Sequence, residues 1–390
     1  MRIGMILDKT FPPDPRVQNE AIELIKSGHE VFLFCLTYTD QDSEQIIDRI
    51  QVKRYKSNKL EYKLSALAYT VSLYSFLMKK KIAHFLKKYS IEVIHIHDMV
   101  IAEAVLVANK KIQLPVVLDL HENRPEIMKF YPHLKKFPHN ILISTKRWRQ
   151  KESEFIKKTD KVIVVTKEAK KEILRRIQKD SKDVIVVPNT VRTSFFYGVS
   201  AVEEKRIKNV FNLLYIGDTG ERRGLATVIK SLPFLKDKIE EIRLVIVGNI
   251  NNDLKKLAKE LNVEEQVNFV GWQNEITFPD YIKNSAICLS PLHRNLHHDT
   301  THANKIFQYM SLGKPLLVSN ATAQKNIVEK VNSGLVHEAK NVKDFTNKVL
   351  KLYRDELLRK ELGQNGEAFV RNEFTWDKTS KELINLYNNL

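Results

Sequence analysis

The stretch RIGMILDKTFPPDPRVQNEAIELIKSGHEVFLFCL, residues 2–36, sets the pattern that the rest of the chain repeats. Ile3–Leu7 is a short apolar run of strand length. Phe11-Pro-Pro13 forces a turn. Asp14 can cap a helix, and Pro15 suits its first position, where a missing N–H costs nothing. Val17, Ala21, Leu24 and Ile25 then recur at helical spacing, Gly28 suits the helix end, and Glu30–Leu36 reads as a second strand. Strand, helix, strand in this order predicts a parallel pair with a helical crossover.

Outward from this unit the same alternation continues through Val93–His97, Val116–Leu120, Val162–Val165 and Val184–Val187. It closes at Pro188-Asn-Thr190. A polar stretch, Ser200–Lys208, reads as a linker. The pattern then restarts: Phe211–Ile216 ends in Gly217, Leu244–Val247 in Gly248, Val267–Val270 in Gly271 and Ile287–Ser290 in Pro291. Leu316–Ser319 follows Gly313-Lys-Pro315. The 390 residues therefore predict an α/β chain of two Rossmann-like, doubly wound domains, residues 1–190 and 209–373, facing each other across a cleft. Ligands of such sheets bind beyond the carboxyl ends of the strands, so chemistry is expected in the turns just named. Cys35 and Cys288 each lie in an apolar run and read as buried free thiols.

The formal net charge is +17, and residues 51–150 hold 19 basic but only 7 acidic side chains. Such a one-sided surplus predicts an anionic partner. Residues 53–88 surround the apolar stretch Leu64–Met78 with Lys53, Arg54, Lys56, Lys59, Lys63 and Lys79-Lys-Lys81. This suits either an element lying on an anionic membrane or a solvated helix packed on the sheet. No nucleic-acid-binding motif is present, so nucleic acid is not an expected partner. The opening residues make no signal peptide and no apolar stretch spans a bilayer. The expectation is a cytoplasmic protein, peripheral on the inner face of the plasma membrane if the basic segment docks there.

Two segments carry most of the chemistry. In Thr300–Pro315, Ile306, Phe307 and Met310 give a helix an apolar face, and Gly313 and Pro315 stop it. Thr301 or His302 would start that helix, where free N–H groups favour an anion. Lys305 and Gln308 share one face, suited to a diphosphate and a ribose hydroxyl. Thr300, Thr301, His302 and Asn304 are the other expected donor contacts of this segment. In Gly217-Asp-Thr-Gly-Glu-Arg-Arg-Gly-Leu225 a glycine-rich turn lets backbone approach a phosphate, and Arg222 and Arg223 supply fixed positive forks. The alternative is a salt-bridged surface turn. His95, His97, Asp98, His121 and Glu122 end two strands and should point into the cleft. His293, His297, His298 and His302 crowd one loop, but their spacing matches no structural zinc pattern. No metal and no cofactor is expected.

The segments NKIFQYMSLGKPLLVSN (304–320), FPPDPRVQNEAIELIKSGHEV (11–31), VIHIHD (93–98), LPVVLDLHENRPEI (114–127), DKVIVVTKEAKKEIL (160–174) and VIVVPNTV (184–191), in this order, resemble GT-B glycosyltransferases, above all the large retaining family 4. The resemblance implies transfer of a hexose-type sugar from a nucleotide-sugar donor to a saccharide, lipid-linked or oligosaccharide acceptor in surface polysaccharide synthesis. It places His121 near the reacting sugar, Arg223 where the family has a lysine, and Arg16 near a donor-phosphate loop that lacks the usual Gly-Gly. It sets Trp272 beside the nucleotide base, although Trp272 reads equally as core. It also folds residues 374–390 back on the first domain. Two departures stand out: the family's paired glutamates fall at Thr300 and Gln308, and Asp218 replaces an arginine. These leave room for two other readings, a catalytically silent GT-B subunit and a sugar-nucleotide epimerase.

Overall fold

The computed structural model describes residues 1–70, 72–131, 134, 136–137, 142–197 and 210–390. The linker expected at Ser200–Lys208 lies outside the described residues. The chain divides into a unit of Met1–Pro188 with Thr379–Leu390 and a unit of Asn189–Lys378.

The first unit holds β1 (Arg2–Leu7), β2 (Glu30–Thr37), β3 (Glu44–Ile47), β4 (Ile50–Lys56), β5 (Val93–His97), β6 (Val116–Leu120), β7 (Lys161–Val164) and β8 (Val184–Val186). They form one sheet in the order β3-β4-β2-β1-β5-β6-β7-β8, parallel except for β3 against β4. The helix Pro15–Lys26 starts as its sequence requires: Asp14 accepts a hydrogen bond from the Val17 N–H, and Pro15 takes the first turn. Both faces of the sheet are covered, so strands such as β5 and β6 are buried along their whole length.

The β3–β4 pair is a correction to the sequence reading. Residues Ile50–Lys56 make a strand, not part of a basic surface element, with Ile50, Val52 and Arg54 alternating inward. Buried Arg54 donates to the Phe11 carbonyl and to Gln45. Beyond it stand two helices, Lys59–Ala66 and Leu73–Lys88. The second packs Tyr74, Met78, Ile82, Phe85 and Leu86 into the core, while Leu60, Tyr62, Leu73 and Phe76 stay exposed.

The second unit holds β9 (Phe211–Ile216), β10 (Ile242–Val247), β11 (Val267–Gly271), β12 (Ile287–Ser290), β13 (Leu316–Ser319) and β14 (Gly334–His337). Their order is β11-β10-β9-β12-β13-β14, with parallel pairing throughout. Strand periodicity divides β9 between two cores: Leu213 and Tyr215 face one, Leu214 and Ile216 the other. Strands are added outward to one side of β9 up to β11 and then to its other side from β12, so the turn after β9 opens at the switch point of the sheet. The terminal segment expected as 374–390 forms two short helices, Trp376–Thr379 and Lys381–Asn388, the second within the first unit. Cys35 and Cys288 are free and buried.

Candidate functional site

The turn after β9 is built around backbone that needs glycine. Gly217 has φ +127°, and a Cβ there would lie 3.0 Å from Lys305 Nζ. Gly224 closes the turn at φ +78°, where a Cβ would stand 1.8 Å from the Pro291 carbonyl oxygen. Side chains at either position would push away the lysine or the loop that follows β12. The turn is tied down elsewhere: Thr219 donates to the Asn249 carbonyl at 2.8 Å, and the His293 N–H donates to the Arg222 carbonyl at 2.9 Å.

Within this frame the cations gather. Lys305 Nζ sits 3.6 Å above the centroid of the Tyr215 ring. Burial, and then the nearby Arg223 guanidinium, hold its ammonium well below the ordinary lysine range. Arg223 donates from Nε to Asp218 Oδ2 at 3.0 Å, and Arg222 approaches the same carboxylate at 3.9 Å. Asp218 is partly buried, which would raise its pKa, but the Arg223 hydrogen bond and charge outweigh this and lower it. Among the described residues, Asp218 is the carboxylate paired with Arg223, and no acid pairs with Lys305.

The helix carrying Lys305 starts later than its sequence suggests. It runs Lys305–Ser311, with Asn304 exposed at its cap and Thr301–Ala303 irregular before it. Thr300 instead ends a separate short helix, Leu296–Thr300, capped by Asn295. The Thr300 hydroxyl donates to the Leu296 carbonyl and the Thr301 hydroxyl to the His297 carbonyl. Back-bonding of this kind weakens and bends a helix. His302 packs its ring edgewise on Phe307. Burial, then mutual repulsion, pushes His297 down to about 2, and burial takes His298 to about 4, so both are neutral at physiological pH. Gln308 is buried and donates from Nε2 to Glu275 Oε1 at 2.8 Å. Trp272 is 71% exposed, which removes the core reading and leaves its ring face open.

The first unit holds a different cluster. His97 and Asp119 are register partners on β5 and β6, and the helix Pro15–Lys26 lays Arg16 and Glu20 over them. Arg16 donates from Nε and Nη2 to both Asp119 oxygens at 2.8 Å, pairs with Glu20 at 2.8 Å and donates to the Val187 carbonyl. Arg16 is thus buried among protein acceptors. His121 Nε2 lies 2.8 Å from Asp119 Oδ2 and 3.2 Å from His97 Nδ1. Burial opposes its charge, but the Asp119 carboxylate prevails and raises its pKa. His95 Nδ1 is 2.7 Å from the Tyr387 hydroxyl, which arrives on the helix Lys381–Asn388. His95 and His97 are fully buried rather than open, because they share one covered face of β5; burial lowers the pKa of both.

One ligand atom each from Glu20, His95, His97 and Asp119 falls within 4.8 Å of the others. Those donors suit a divalent cation by chemistry. However, the Arg16 guanidinium already bridges both carboxylates, and a dication would have to displace it. Sequence reasoning missed Asp119, Glu20, Tyr387 and Glu275. An acid inside the apolar run Val116–Leu120 was itself a signal, since a buried carboxylate needs a partner.

Two family models match, end to end: Glycosyltransferase Family 4 over residues 16–195 and Glycosyl transferases group 1 over residues 200–369. The chain is 25% identical over 242 residues to the uncharacterized glycosyltransferase MJ1069 of Methanocaldococcus jannaschii, covering 60% of this chain and 59% of that protein. It is 23% identical over 185 residues to the capsular polysaccharide biosynthesis glycosyltransferase CapM of Staphylococcus aureus, covering 47% of each. The alignments thus span about half to three-fifths of these relatives. Among solved structures, sucrose-phosphate synthase from Thermosynechococcus elongatus superposes with TM-score 0.80 at 16% identity, over 100% of this chain and 98% of that one. Anabaena HepE in complex with UDP superposes with TM-score 0.74 at 13% identity, over 100% of both chains.

Proposed function

Since the chain belongs to the GT-B glycosyltransferases of the family 4 type, we propose that it transfers a hexose-type sugar, with retention, from a nucleotide-sugar donor to a saccharide acceptor in surface polysaccharide synthesis. The observation that carries this reading is the surplus of cations around the Gly217 turn. Arg223 and Lys305 gather there, Asp218 is the carboxylate that pairs with Arg223, no acid among the described residues pairs with Lys305, and the Lys305 ammonium is held in a place that disfavours its own charge. Such a site is completed by a polyanion, and a diphosphate on a glycine turn fits it. HepE, of the same fold, was crystallised with UDP, and CapM acts in capsule synthesis; both support the substrate class.

In the reaction the bond between the anomeric carbon and the diphosphate oxygen breaks, and its electron pair stays with the phosphate. Arg223 and Lys305 stabilise that growing charge. The acceptor oxygen bonds to the anomeric carbon on the same face, and its proton passes to the departing phosphate oxygen. On the first unit His121, oriented by Asp119, offers an imidazole to hydrogen-bond a saccharide hydroxyl. No helix among the described residues is long and apolar enough to cross a membrane. Exposed Leu60, Tyr62, Leu73 and Phe76, among Lys59, Lys63, Lys79 and Lys80, give a lipid-linked acceptor a surface to approach from an anionic membrane.

Thr300 and Gln308 keep a second reading alive, a silent subunit that binds nucleotide without turnover, because neither places a carboxylate where the family has one. Melting curves against nucleotides and nucleotide sugars, followed by turnover with the stabilising donor, decide between them. Turnover that falls at least ~100-fold in Arg223→Ala and Lys305→Ala, with the fold intact, is expected. Near-normal turnover in both variants defeats the assignment. Binding without turnover in the unmodified protein selects the silent subunit, and conversion of the donor without acceptor selects an epimerase.

A further inference from the structure

We infer that Glu275, acting with Gln308, is the carboxylate that reads the ribose hydroxyls of the donor, so that the second unit selects ribonucleotides over their deoxy forms. This rests on the proposal that the unit binds a nucleotide. A hydrogen bond joins the two side chains, Gln308 Nε2 donating to Glu275 Oε1 at 2.8 Å. A carboxylate can only accept, so the amide nitrogen must be the atom that faces it. That fixes the Gln308 amide, and its carbonyl oxygen remains an acceptor beside the second Glu275 oxygen.

The surroundings favour a ligand over a chance surface contact. Glu275 opens the short turn Glu275–Thr277, held by Asn274, whose side chain accepts from the Ile276 N–H at 3.1 Å. Glu275 is exposed in a chain of net charge +17, yet among the described residues no lysine or arginine pairs with it. Gln308 is 9% exposed, and it lies three residues beyond Lys305 on the same helix. Positions so spaced are neighbours on one helix face, with Cβ atoms about 5–6 Å apart. The sugar next to a diphosphate held by Lys305 would meet Gln308 at that spacing. Three residues before Glu275 stands the exposed ring of Trp272. A vicinal diol offers two donors, and the Gln308–Glu275 pair offers two acceptors. The carboxylate that residue 308 lacks is supplied from the turn after β11.

Calorimetry on the full chain tests this with UDP, GDP and ADP, each against its 2′,3′-dideoxy counterpart. For the ribonucleotide that binds, the dideoxy form should bind at least ~10-fold more weakly, since a charged acceptor left without its donor is costly. Glu275→Ala should bind both forms within about two-fold. Gln308→Glu alone sets two carboxylates together and should weaken the ribonucleotide. The exchange Glu275→Gln with Gln308→Glu should restore both affinity and discrimination. Equal binding of ribo and dideoxy forms by the unmodified protein overturns the inference while leaving nucleotide binding intact. A ten-fold preference that survives in Glu275→Ala also overturns it. Binding of none of the three ribonucleotides overturns the nucleotide reading itself.

Discussion

Arg16 in the first unit and Arg223 in the second carry the same guanidinium, and both read from sequence as phosphate ligands. Arg16 is 7% exposed and held by both Asp119 oxygens, by Glu20 and by the Val187 carbonyl. Arg223 has a more open side chain and a single carboxylate, Asp218, itself half exposed and shared with Arg222. In the first cluster acids and bases satisfy each other in a dry interior. In the second, cations outnumber acids at the mouth of a glycine turn. The residue type is the same, and the number of nearby acceptors decides whether the charge supports the fold or awaits a ligand.

The largest expected effect follows from breaking that contrast directly. Asp119→Ala would take from buried His121 its carboxylate and leave buried Arg16 with Glu20 as its remaining acid. It should cost roughly 3–5 kcal/mol of stability, as for other buried pairs with one partner removed. Arg223→Ala should leave the denaturation midpoint nearly unchanged and act on donor binding and turnover instead. Urea unfolding of the two variants checks this; equal midpoints would erase the distinction between the units.

A smaller effect sharpens it. The lysine at 305 has its pKa lowered by burial and by Arg223 from an ordinary 10.5, so the folded chain holds that proton less tightly than the unfolded chain. The cost is full below the folded value and fades as pH rises to the unfolded one. Lys305→Met should therefore keep or slightly raise stability while reducing turnover about 100-fold. A bound diphosphate pulls the pKa back up, so binding at a pH between the folded and the unfolded values should take up a proton. Calorimetry in buffers of different ionisation enthalpy reads that uptake. Its persistence in Lys305→Met would assign the proton to another group.

Much of this was legible in the sequence, and the parts that were not share a cause. β9, β12 and β13 fall on the apolar runs Phe211–Ile216, Ile287–Ser290 and Leu316–Ser319 because both faces of a parallel sheet are buried and leave a continuous apolar signal. The strand Ile50–Lys56 was hidden because charged side chains alternate with its buried residues, and one buried residue is itself Arg54. The glycine turn and Lys305 were visible as local motifs. The partners of Arg16 were not, since Asp119 lies 103 residues away and pairing over such a distance leaves no periodicity. Glu275 escaped for the same reason, 33 residues from Gln308.

A pH-dependent effect concerns the acid that lies between these extremes. Burial, partly offset by Arg16 and reinforced by the Asp119 charge, lifts Glu20 from 4.5 to about 8, whereas the Arg16 and His121 charges hold Asp119 well below its ordinary range despite burial. Two carboxylates sharing one guanidinium cannot both ionise cheaply, so one keeps a proton. The folded chain then binds more protons than the unfolded chain between pH 4.5 and about 8, and stability falls as pH rises through that window. Glu20→Gln keeps the shape and the neutral form but cannot ionise. Its stability relative to the unmodified chain should rise from pH 5 to pH 8, by roughly 3–4 kcal/mol once each pH unit of proton difference is counted at about 1.36 kcal/mol. A pH profile identical to that of the unmodified chain would mean that Glu20 is ionised throughout. The first cluster would then carry two full negative charges beside Arg16 and His121.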